Sequence, residues 1–111
     1  MRILNTKIIL IISLSSAIFS QYNSSLRTAK MYEMQKNWDA AISIYSDILK
    51  KSPNNYQIIR NLKTVYKKSQ RYTDGINFLT YQISRNPKDI QINVELGEFY
   101  FLSENIEEAK K

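Results

Sequence analysis

The sequence predicts an all-α protein of antiparallel helix-turn-helix repeats behind an apolar leader helix, and three observations carry that prediction. The chain of 111 residues holds only 2 Gly and 2 Pro, too few for a turn-rich β protein or a disordered one. Its apolar residues recur at helical spacing. Its two prolines, Pro53 and Pro87, stand 34 residues apart, and sliding the chain over itself by that distance matches residue classes throughout. Beyond the leader, the length suits one small domain.

Residues 1–20 have the layout of a secretory signal peptide. Arg2 and Lys7 give a cationic start, and the run Ile8 to Phe19, broken only by Ser13, Ser15 and Ser16, gives the apolar core. Small residues offer cleavage after Ala17 or after Ser20. The run is shorter than the ~20 apolar residues a spanning helix needs, so a cleaved leader is the first reading and an uncleaved membrane anchor over residues 3–19 the second. Either way the rest of the chain is expected outside the cytoplasm, in a periplasmic, cell-envelope or secreted location.

After residue 20 the 34-residue interval aligns Tyr22 with Tyr56, Tyr32 with Tyr66 and Tyr100, Trp38 with Tyr72, and Leu62 with Leu96. Units fall at about 22–55, 56–89 and 90–111, the last incomplete. Within the first, Trp38, Ala41, Ile42, Tyr45, Ile48 and Leu49 form one stripe of a 3.6-residue helix, and Tyr72, Gly75, Ile76, Leu79 and Ile83 repeat it. Shorter stripes precede the later stripes, such as Ile59, Leu62, Val65 and Tyr66, then Ile92, Leu96, Phe99 and Tyr100. Pro53 and Pro87 end one helix, and Asn55 or Asp89 caps the next. In the third unit a second helix is expected to begin near Ile106. Gly97 takes the slot of Ala29, and Gly75 that of Ala41 and Ala109. Because Gly inside a helix costs about 1 kcal/mol against Ala, both glycines are read as points where two helix backbones approach closely.

These residues resemble the tetratricopeptide repeat family, whose unit is a 34-residue helix pair. The resemblance covers residues 22–111 and is carried by Ala29, Tyr32, Trp38, Ala41, Tyr45 and Pro53, by Leu62, Tyr66, Tyr72, Gly75, Leu79 and Pro87, and by Leu96, Gly97, Tyr100, Ile106 and Ala109. Thr28, Lys63, Ile48 and Gln82 depart from the family pattern. The resemblance implies an α-solenoid whose first helices line a concave groove for a peptide or partner protein. Carried onto this chain, the groove positions are Asn23, Leu26, Lys30, Glu33 and Met34, then Gln57, Arg60, Thr64, Lys67 and Lys68, then Gln91, Val94, Glu98, Phe101 and Leu102. Some family members clamp a peptide carboxylate with Lys and Asn. Here only Asn61 stands at such a position, and Gln91 and Glu95 replace the cations, so that clamp is not expected.

Charge is uneven. Without residues 1–20 the chain carries 14 basic and 10 acidic groups, net +4. Residues 50–71 contain seven cations and no acid, whereas residues 89–111 hold six acids against Lys110 and Lys111. The basic run Arg60, Lys63, Lys67, Lys68 and Arg71 reads first as a solvated helix face and second as a site for anionic envelope polymers or lipid head groups. An exported chain gives no reason to expect nucleic acid.

With no Cys and no His, disulfides, thiol nucleophiles, zinc sites built on those residues and histidine triads are excluded. Glu107 and Glu108 point to different sides of a helix, and no Gly-rich phosphate loop occurs. No catalytic, cofactor-binding or metal-binding residue is named, and no enzymatic activity or cofactor is expected of these residues. The sequence therefore predicts an exported interaction scaffold. The alternatives are a recognition module of a larger envelope enzyme or sensor and a binder of anionic polymers. The third unit breaks off after Lys111 without a polar cap, which points to a longer reading frame or to pairing with itself or another protein.

Overall fold

A computed structural model describes the backbone of residues 2–110 and the side chains of residues 7–107 and 110. Five helices follow in order: α1 (Arg2–Met34), α2 (Trp38–Lys51), α3 (Tyr56–Lys68), α4 (Tyr72–Arg85) and α5 (Ile90–Lys110), and no strand occurs among the described residues. The chain forms two compact units, the first ending at Asn55 and the second beginning at Tyr56. In the first, α1 packs on α2; in the second, α4 packs on both α3 and α5. The fold is all-α, with successive helices paired as in a helical-repeat protein.

The turns show the 34-residue interval directly. Among the described residues, Lys36 and Gln70 are the two non-glycine residues with left-handed backbones, at φ 56° and 58°. Around Lys36, the Asn37 N–H donates to the Tyr32 carbonyl and the Lys36 N–H to the Glu33 carbonyl. Around Gln70, the Arg71 N–H donates to Tyr66 and the Gln70 N–H to Lys67, the same two bonds one interval later. Both are Schellman endings, which satisfy the last carbonyls of the first helix and turn the chain back. The second helices end alike: Ser52 and Asn86 cap α2 and α4 with near-equal backbone angles, at φ −136° and −141°, directly before Pro53 and Pro87. Asn37 caps α2 by accepting the Ala40 N–H, and Asp89 caps α5 by accepting the Ile92 N–H.

Packing follows the predicted stripes. In the first unit Ala29, Ala41, Tyr45 and Ile48 are buried. In the second, Leu79, Ile92 and Phe99 form a core against which Tyr66, Tyr72, Ile76, Phe78, Ile83 and Leu96 pack. The Tyr72 ring stands edge-on to Phe99 at 6.0 Å, an arrangement suited to the ring quadrupoles. Burial raises the pKa of Tyr66, with the nearby Asp74 carboxylate adding to the effect.

Two expectations need correction. Gly75 is a close-approach site: a Cβ built there would lie 2.3 Å from Phe99 Cε1 and 3.2 Å from Tyr66 Cβ. Gly97 is not, because a Cβ there meets nothing within 4 Å. Ala29, its counterpart, lies on a helix against which a returning helix packs, and Gly97 has no such neighbour. Likewise no second helix begins near Ile106, since α5 runs unbroken to Lys110. A left-handed turn at a non-glycine residue costs about 1–2 kcal/mol, recovered in the earlier units where a returning helix buries an apolar stripe. Glu104, one interval beyond Gln70, does not take the positive φ of Lys36 and Gln70, so the helical ladder of α5 continues past the point where the earlier helices turn.

The apolar N-terminal run is continuous with the helix that carries Tyr22 and Ala29. Residues 7–21 are exposed on every side, including Ile9, Leu10, Ile11, Ile18 and Phe19, and burial begins at Tyr22. The stretch from Lys7 to Met34 is long and apolar enough to cross a membrane.

Candidate interaction surface

In the first unit, Tyr45 is fully buried and its hydroxyl donates to Glu33 Oε2 at 2.5 Å. Burial first, and the carboxylate second, push the Tyr45 pKa up, so the phenol stays protonated while it bridges α2 to α1. Tyr22, within α1, and Tyr56, one interval later at the start of α3, each receive an amide N–H: Asn55 donates to the Tyr22 hydroxyl, and Asn86 to that of Tyr56. Glu33 is thus a bracing residue rather than an outward one. Lys30 is exposed and lies with Asn23, Leu26, Arg27, Met31 and Met34 on one shallow, open face of α1.

In the second unit the predicted groove residues separate into two groups. Gln57, Arg60 and Lys68 are exposed on α3, and the half-buried Thr64 turns its hydroxyl to the Arg60 carbonyl. Lys67 is ion-paired with Glu98 of α5, and one turn away Lys63 donates to Glu95 at 2.5 Å. The Gln91 amide also donates to Glu95. These two ion pairs, which sequence reasoning missed, tie α3 to α5 and neutralise the middle of the basic run. Opposite charge at offsets of 31 and 32 residues, slightly under one repeat, was the available signal. Lys63 and Glu95 are the more buried pair, with side chains 22% and 12% exposed.

Val94 and Phe101 belong to the other group. Both are 62% exposed, and with Ile90 and Gly97 they fall at i, i+4, i+7 and i+11 on one face of α5. Leu102 is half-buried. Asn61 has a buried amide nitrogen with no hydrogen-bond partner. Among the described residues no cluster of three or more His, Cys, Asp or Glu side chains is placed to hold a metal ion. Comparison with known protein families gives no matching family model, and comparison with curated proteins gives no match.

Proposed function

We propose that this chain is an exported helical-repeat scaffold of the tetratricopeptide type, which holds a segment of a partner protein along its first helices and performs no catalysis. The observation that supports it most is the recurrence, one 34-residue interval apart, of the same Schellman turn at Lys36 and Gln70 and the same helix ending at Ser52 and Asn86. Repeated hairpins present repeated outward faces, and here these carry Lys30 on α1, Gln57, Arg60 and Lys68 on α3, and Val94 and Phe101 on α5. Within the second unit, the exposed cations and amide of α3 with the exposed apolar groups of α5 suit a peptide with acidic and apolar side chains. The exposed apolar helix ahead of Tyr22 is consistent with export or membrane anchoring. Binding of an anionic polymer through the basic run is the weaker reading, because Lys63 and Lys67 are already paired with Glu95 and Glu98.

Photo-crosslinking in the cell of origin tests the scaffold reading. A photoreactive residue at Arg60 or Lys30 should give a discrete crosslinked partner, and the same residue at Ser43 or Thr80, exposed on the second helices, should not. Crosslinking that does not distinguish the two sets would overturn it.

A further inference from the structure

The first unit shows how a first helix is covered. On α1 the slots engaged by α2 and the loop behind it are Tyr22, whose hydroxyl receives Asn55, Ala29, which has no exposed surface, and Glu33, which accepts the Tyr45 hydroxyl. By helical spacing these three share one face. Two intervals later the same slots on α5 are Ile90, Gly97 and Phe101. They stand open: Ile90 is 78% exposed, Phe101 62% exposed, and the space beside Gly97 is empty to 4 Å. Val94, 62% exposed, extends the same strip. It is more apolar than its counterpart, since Phe101 stands where α1 has a carboxylate.

We propose that this face of α5 is a docking site for one amphipathic α-helix of a partner protein, running antiparallel to α5, with a small residue opposite Gly97 and a leucine-like side chain where α2 carries Tyr45. The inference rests on the scaffold reading and names its partner class. Antiparallel packing sets the positive N-terminal end of the incoming helix beside the exposed Glu104 carboxylate. Gly97 admits a close backbone approach, and Ile90, Val94 and Phe101 supply the apolar contact. At the Tyr45 position, Phe101 fills the slot that Glu33 holds on α1, so a tyrosine hydroxyl loses that acceptor and a leucine-like side chain is preferred. A second copy of this chain would bring its own exposed α5 strip, so self-association is the competing outcome: a concentration-dependent dimer in analytical ultracentrifugation that Gly97→Leu abolishes would overturn the proposal.

The probes are synthetic peptides of residues 37–52, the α2 helix itself, one native and one carrying Tyr45→Leu, with a scrambled control. Binding is read by fluorescence anisotropy on the full chain held in lipid nanodiscs. The Tyr45→Leu peptide should bind about tenfold more tightly than the native peptide. Gly97→Leu, at a position where a Cβ meets nothing within 4 Å, should abolish saturable binding while leaving the circular dichroism unchanged. Phe101→Glu, which recreates the α1 acceptor, should reverse the preference between the two peptides. Equal binding of both peptides, no binding of either, or binding indifferent to Gly97→Leu and Phe101→Glu would overturn the proposal. Specific crosslinking at Arg60 would survive any of those outcomes, so failure here is distinguishable from failure of the scaffold reading.

Discussion

Alanine substituted at the two glycines should have opposite effects. Both sit inside helices, so each Gly→Ala change gains about 1 kcal/mol of helix propensity. At Gly97 nothing opposes that gain, because the new methyl group meets no atom within 4 Å. At Gly75 the methyl group would lie 2.3 Å and 2.7 Å from two ring atoms of Phe99 and 3.2 Å from Tyr66 Cβ. Phe99 has no exposed surface and is held edge-on by Tyr72, so its ring has nowhere to withdraw without opening the core. Overpacking of this kind costs about 1–3 kcal/mol, and distances this short place Gly75→Ala at the upper end. After the propensity gain, the net loss is about 1–2 kcal/mol. For a domain of this size 1 kcal/mol moves Tm by roughly 4–8 °C, so thermal unfolding followed by circular dichroism separates the variants: Gly97→Ala above the parent, Gly75→Ala clearly below it. Adding Phe99→Leu to Gly75→Ala should recover part of the loss, because the two changes share one space. A Gly75→Ala protein as stable as the parent, or a Gly97→Ala protein equally destabilised, would refute the account of how α4 meets α5.

Further outcomes follow from the polar contacts. Tyr45→Phe should destabilise the chain by about 1–2 kcal/mol in urea unfolding, since it removes a hydrogen bond to a carboxylate. Because the Tyr45 pKa is raised above its ordinary value of 10.0, the unfolded state loses that proton first as pH rises. The stabilisation is full below pH 10 and is lost above it, and Tyr45→Phe should blunt that alkaline loss. Double-mutant cycles should give a coupling near 1 kcal/mol for Lys63 with Glu95 and less than about 0.5 kcal/mol for the more exposed Lys67 with Glu98, the latter falling further at high salt. A chain of residues 21–111 should keep its helical circular dichroism, because burial starts at Tyr22; collapse of that signal would show that the leader stabilises the first unit.

Much of the fold is legible in the sequence because it is written in local chemistry. The helix stripes follow from spacing along one chain, Pro53 and Pro87 cannot continue the helices before them, and Asp89 is a capping residue by type. The Tyr22, Tyr56 and Tyr32, Tyr66 matches gave the interval that the turns at Lys36 and Gln70 repeat. The candidate surface was less legible. Its residues were assigned from register alone, which fixes the side of a helix and leaves open what stands across from it. So Glu33 emerged as a brace for Tyr45, and Lys67 as the partner of Glu98.

The sequence by itself determined an all-α chain, its 34-residue beat, the stops at the prolines and the apolar helix at the start, all set by spacing and by the backbone limits of single residues. Only the tertiary structure decided which glycine is crowded and which is open, and which cations are neutralised across helices. Those outcomes depend on the second surface brought against the first, and contacts between residues 24 to 32 positions apart leave no local mark on the chain.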